Sequence, residues 1–133
     1  MCLDYELTKP EADKIKAEAR KRGYIRVYKV FNAYNTGWSM GTRWRKGLRK
    51  GAYIKQPYGG WYALLTLKAA RKELAIWNDP HYIKTCYAKP SWIKRLGMSD
   101  GHRVAIFTHL CFPDWDKGDM TIREFRAMCK GKK

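Results

Sequence analysis

Acidic residues are missing from the middle of this chain. Between Glu18 and Glu73 there is none, while the 54 positions from Ala19 to Lys72 carry 14 Lys or Arg. Like charges held together in a folded chain repel, so a run of this length points to a polyanion that offsets the repulsion. Over all 133 residues, 28 Lys and Arg face 12 Asp and Glu, a formal charge of +16 with an isoelectric point near 9.9. Solubility alone needs a magnitude of only about 2–8. A charge of this sign excludes an acidic mimic of DNA.

Other absences narrow the reading. Cys2, Cys86, Cys111 and Cys129 form no C-x-x-C pair, and Met1 to Glu6 lack the basic and apolar regions of a secretory leader. The expectation is a reducing cytoplasm with free thiols. No apolar run approaches the roughly 18–20 residues that span a bilayer, so no membrane partner is expected. There is no dinucleotide glycine fingerprint, Walker loop, G-x-S-x-G or H-E-x-x-H. Neither a cofactor, a metal nor a catalytic residue is therefore assigned. Repeats, low-complexity tracts and inter-domain linkers are absent too, which leaves one domain over residues 1–133.

The histidines do not form an evident acid–base pair. His102 and His109 lie seven apart, on opposite sides of a regular strand, and His81 begins another. A metal set of His109 and Cys111 with Cys86 or His81 has no closing spacing. Asp114-Trp115-Asp116-Lys117-Gly118-Asp119 departs from a calcium loop, with Gly in the fifth position and Lys between the acids. It reads as a solvated acidic turn, available to the chain's own cations or a partner's.

What is present suffices for a core. The hydrophobic share is 45% and the aromatic share 14%, and a chain of this length buries roughly two-thirds of its unfolded surface. Thr8-Lys9-Pro10-Glu11 is a capping box opening a helix with Ala12, Ile15 and Ala19 on one face and Gly23 as its stop. Arg20, Lys21 and Arg22 complement that helix's negative end. Tyr24 to Phe31 reads as a strand, with Ile25, Val27 and Phe31 on one side and a half-exposed second face; Arg26 and Lys29 are expected in solvent. Asn32 to Gly51 reads as a long loop. Ala52–Gln56 and Trp61–Thr66 form a hairpin around Pro57 to Gly60. Thr66 caps a helix from Leu67 to Trp77 with Leu67, Ala70, Leu74 and Trp77 inward and Lys68, Arg71 and Lys72 outward. His81–Ala88 is a strand, Pro90–Leu96 a helical turn, Arg103–Phe112 a central strand, and Thr121-Ile122-Arg123-Glu124 a second capping box. The order α-β-loop-β-β-α-β-turn-β-α predicts an α+β domain: a mainly antiparallel sheet of about five strands, with three helices.

The long loop is the leading candidate for function. Arg43, Arg45, Lys46, Arg49 and Lys50 fall within eight residues, with Trp44 among them and Trp38 and Tyr53 nearby. Arginine's planar fork suits phosphate, and aromatic rings stack on unpaired bases. Lys55 extends this group, and Lys84, Lys89, Lys94, Arg95 and Arg103, with Trp92 among them, make a second one. RNA is favoured over duplex DNA because flat rings serve unstacked bases.

Val27-Tyr28-Lys29-Val30-Phe31, and Gly60-Trp61-Tyr62-Ala63 before a helix with Ala69 and Ala70, resemble small basic, aromatic-rich proteins of phages and mobile elements. Some of those are anti-defence factors, including anti-CRISPR proteins. The resemblance implies a bacterial host cell as the setting and assigns no residue a role. Three readings follow. The first is a non-enzymatic nucleic-acid-binding protein, RNA or single strand favoured. The second is a phage-type inhibitor of a nucleic-acid-guided effector complex. The third is a small ribonuclease toxin or nucleotide transferase.

Overall fold

A computed structural model of the chain describes residues 3–32, 46–51, 55, 59–77, 80–113 and 120–130. Among them the architecture is α+β, three helices on one eight-stranded antiparallel sheet. The elements run β1 (Tyr5–Glu6), α1 (Lys9–Arg22), β2 (Ile25–Asn32), β3 (Gly47–Lys50), β4 (Trp61–Leu64) and α2 (Leu67–Ala75). They continue with β5 (His81–Ala88), a 3-10 turn (Pro90–Trp92), β6 (Ile93–Ser99), β7 (His102–Phe107), β8 (His109–Phe112) and α3 (Ile122–Lys130). No helix among the described residues is long and apolar enough to cross a membrane.

The helices start where their caps predict. The Glu11 carboxylate accepts from the Thr8 hydroxyl at 2.9 Å, and the Thr66 hydroxyl accepts from the Ala69 N–H at 3.1 Å. Thr121 and Glu124 cap each other at 3.0 and 3.1 Å. Gly23 ends α1 at φ 94°, a left-handed conformation that favours glycine.

The sheet holds more strands than the five expected. Its order is β1-β6-β7-β4-β2-β5-β8-β3. The long loop ends early, since Gly47 to Lys50 pair with β8. The helical turn stops at Trp92, and Ile93 to Ser99 pair with β7 across a bulge near Arg95. The strand expected at Ala52–Gln56 lies outside the described residues apart from Lys55, which sits in a turn.

One bend organises the whole sheet. β7 and β8 are halves of a single run from His102 to Phe112, interrupted at Thr108. The first half pairs with β4 and the second with β5, while β2 pairs with both β4 and β5. The circuit β7–β4–β2–β5–β8 is thus closed, and its inner face forms the main core. Val27, Phe31, Trp61, Ala63, Cys86, Ala88, Ala105, Phe107, Leu110 and Phe112 meet there, with Ala12 and Ile15 of α1 packed against them. Inward residues are odd-numbered before Thr108 and even-numbered after it, so side-chain parity shifts by one at the bend.

The outer face is covered as well. Tyr28 and Val30 are buried beneath α2 with Tyr62, Leu64, Val104 and Ile106, so the second face of β2 is core instead of half exposed. Tyr87 and Cys111 are buried beneath Phe125 of α3. Lys29, expected in solvent, is only 2% exposed. It stands between Val27 and Phe31 on the inner face, in register with Lys84, itself buried on the neighbouring strand.

Candidate nucleic-acid interface

Trp38, Arg43, Trp44, Arg45 and Tyr53 lie outside the described residues. The rest of the predicted interface divides. Lys46, Lys50 and Lys55 are exposed. The Arg49 guanidinium donates to the Lys46 carbonyl at 3.0 Å, while the Arg49 carbonyl accepts from the Trp61 indole at 3.0 Å. Arg49 thereby anchors β3 to the core. Lys50 faces His109 across the β3–β8 pair; burial, with Lys50 beside it, holds that imidazole below its usual range.

The second predicted group is dispersed: Lys84 is buried on β5, Lys89 is exposed before the 3-10 turn, Arg103 is exposed on β7, and Lys94 and Arg95 sit on β6. Lys94 is half-buried and donates to the Gly59 carbonyl at 3.0 Å, and Arg95 pairs with Glu6 at 2.7 Å. In sheet order β3 and β6 lie far apart, yet the closed circuit brings their ends together at Gly59 and Gly60. A Cβ at Gly51 would lie 2.6 Å from the Gly60 Cα, so this approach requires glycine there. Trp92 is no free stacking ledge. Its ring packs against His109 and Phe125, with the Lys89 ammonium 5.5 Å from the ring centre.

Tyr24, Tyr28, Trp61 and Tyr62 are all buried. These four of the aromatics in the acid-free stretch therefore serve the core and offer no surface to a base.

Lys89 and Arg103 belong to the second predicted group, but the sequence did not join them to the cations around the end of α1. Arg20, Lys21 and Arg22 suit a helix terminus, and that local reason hid their placement between two clefts. One cleft, about 580 Å³, is lined by Lys21, Arg22, Arg26 and Arg103 with Glu18. Arg103 also pairs with Glu11 at 3.2 Å. The other, about 420 Å³, lies between α1, the 3-10 turn and α3 and is lined by Arg20, Lys89 and Arg126 with no acid. These three residues are 106 positions apart at the extremes, so only the fold brings them together.

The histidines do not converge. The parity shift at Thr108 sets both His102 and His109 on the outer side, contrary to the expectation from a regular strand. They begin successive strands on the order of 20 Å apart along the chain at normal strand rise. His81 stacks on Trp77 at 4.4 Å. Cys86 faces inward and Cys111 outward, so they share no metal site; Cys111 instead meets Cys129 of α3, with the sulfurs 2.6 Å apart.

The arrangement offers surface cations, two recesses lined by them, and no assembled acid–base pair among the described residues. Comparison of the chain with protein-family models, curated proteins and solved structures finds no match.

Proposed function

We propose that the protein is a non-enzymatic nucleic-acid-binding protein that favours RNA or a single strand. The observation that carries this reading is the pair of clefts flanking the last turn of α1, where seven cations stand against Glu18. Each phosphate that such a surface neutralises releases condensed counterions. The preference for unpaired bases rests on Trp38, Trp44 and Tyr53, with Arg43, Arg45, Lys46 and Lys50 beside them to hold the backbone.

The test is a fluorescence-anisotropy titration of single-stranded RNA, single-stranded DNA and duplex DNA at rising salt. With six phosphate contacts, the logarithm of affinity for a single strand falls with a slope of about −4 against the logarithm of salt. Replacing Arg20, Lys21 and Arg22 together by Gln reduces that slope by about 2. A salt-independent affinity, or no binding at low salt, sinks the reading. Capture of a protein effector that survives nuclease treatment favours the inhibitor reading in its place.

A further inference from the structure

We propose that the cleft between α1, the 3-10 turn and α3 receives a phosphate monoester at the end of a nucleic-acid strand. This rests on the nucleic-acid reading above and names the group that one cleft takes.

Three observations carry it. Arg20, Lys89 and Arg126 come from three separate elements and line one recess of about 420 Å³. None has an acidic partner among the described residues, so an anion held between them lowers their mutual repulsion. The α1 terminus contributes roughly half a negative charge, far less than three whole cations supply. Next, charge stoichiometry distinguishes the ligand. A phosphate within a strand carries one negative charge, whereas a terminal monoester carries about 1.5 to 2 near neutrality. A three-cation recess matches the greater charge. Finally, the lining combines polar and apolar groups. The Ser91 hydroxyl adds a donor, and Pro90 and Phe125 give an apolar wall for the attached sugar or base.

The walls are held in place. Gly23 has no Cβ, and one built there would lie 2.1 Å from the Ile122 side chain. The start of α3 therefore packs directly on the end of α1, which fixes Arg126 relative to Arg20.

The experiment compares 5′-phosphorylated, 3′-phosphorylated and unphosphorylated forms of one single-stranded RNA at fixed salt, with a nucleoside monophosphate as a further ligand. The expected result is that at least one phosphorylated form binds about 10-fold or more tightly than the unphosphorylated strand, as a charge-assisted contact allows. Lys89→Gln and Arg126→Gln weaken both forms, but the phosphorylated strand by the larger factor, so the ratio of the two affinities falls to about 1. Both side chains are exposed, and matching thermal melts confirm intact folds. Equal affinity for all three strands overturns the proposal. Equal affinity for the monophosphate and the phosphorylated strand overturns the strand end as the source of the phosphate. Absence of binding by every strand removes the nucleic-acid reading as well, so the two failures are told apart.

Discussion

A lysine on the inner face of a sheet, between Val27 and Phe31, loses the water that normally solvates its charge. Lys29 recovers part of that loss by donating to the Tyr62 carbonyl at 2.7 Å and by sitting 5.7 to 5.8 Å from the ring centres of Phe31, Trp61 and Tyr62. Burial still brings its pKa down to about 8, from 10.5. The folded value lies below the unfolded one, so between pH 8 and 10.5 the unfolded chain binds more protons and stability rises with pH. The full rise is roughly 3 kcal/mol. Cys86 acts in the opposite sense: burial pushes its thiol up, so the unfolded thiol ionises first above about pH 9 and stability falls. The Lys29 contribution is isolated by comparing the protein with Lys29→Met in urea unfolding. The stability gap between them changes by roughly 3 kcal/mol from pH 8 to 10.5, the variant losing ground relative to the parent. A gap constant across that range contradicts the assignment. Strand parity puts position 29 on the Val27–Phe31 side, but a lysine on a strand reads as solvated, and that residue type masked the parity. Only pairing with β4 and β5 on both sides encloses it.

Elements with their own local signals were legible. The Thr8, Thr66 and Thr121 caps, the inward Leu67, Ala70, Leu74 and Trp77 stripe, and the Ile25, Val27 and Phe31 face each follow from spacing alone. β3 and β6 were not, because Gly47-Leu48-Arg49-Lys50 and the segment Ile93 to Ser99 lack a clear alternating pattern. They become strands by accepting partners from β8 and β7. The cation-lined clefts were hidden for the same reason, one being assembled from α1, β2 and β7 and the other from α1, the 3-10 turn and α3. Of these, α3 makes the most testable attachment. Its first turn is held by the Thr121–Glu124 cap, and its inner side covers Cys111. Thr121→Ala is expected to cost about 1 kcal/mol. Its local effect is read by timed alkylation and peptide mapping. Cys111 reacts faster in the variant, while Cys86, enclosed by the inner core, keeps its rate. Equal acceleration at both thiols points to global unfolding and contradicts a local role for the cap.

The charge of the whole molecule works against its own compactness. Clefts lined by seven cations and Glu18, with Glu11 paired to only one of the seven, concentrate that repulsion around the end of α1. Raising sodium chloride from 0.05 to 0.5 M shortens the Debye length from about 14 to 4 Å. The melting temperature is expected to rise by several degrees over this range, as like-charge repulsion is screened. A polyanion such as heparin is expected to raise it further at low salt, because it binds the folded surface. A melting temperature that falls with salt indicates that attractive ion pairs outweigh the repulsion. The bend at Thr108 bears on the making of the protein. The strands β2, β4 and β5 leave the ribosome before residues 102–112; β2 joins β4 to β5 on one side, and that later run joins them on the other and completes the circuit. At about 5–20 residues per second, the nascent chain carries an unsealed apolar interior for on the order of ten seconds. Val27 and Phe31 wait longest in reach of chaperones, Trp61 less and Cys86 least, and the emergence of residues 102–112 is the event that withdraws them.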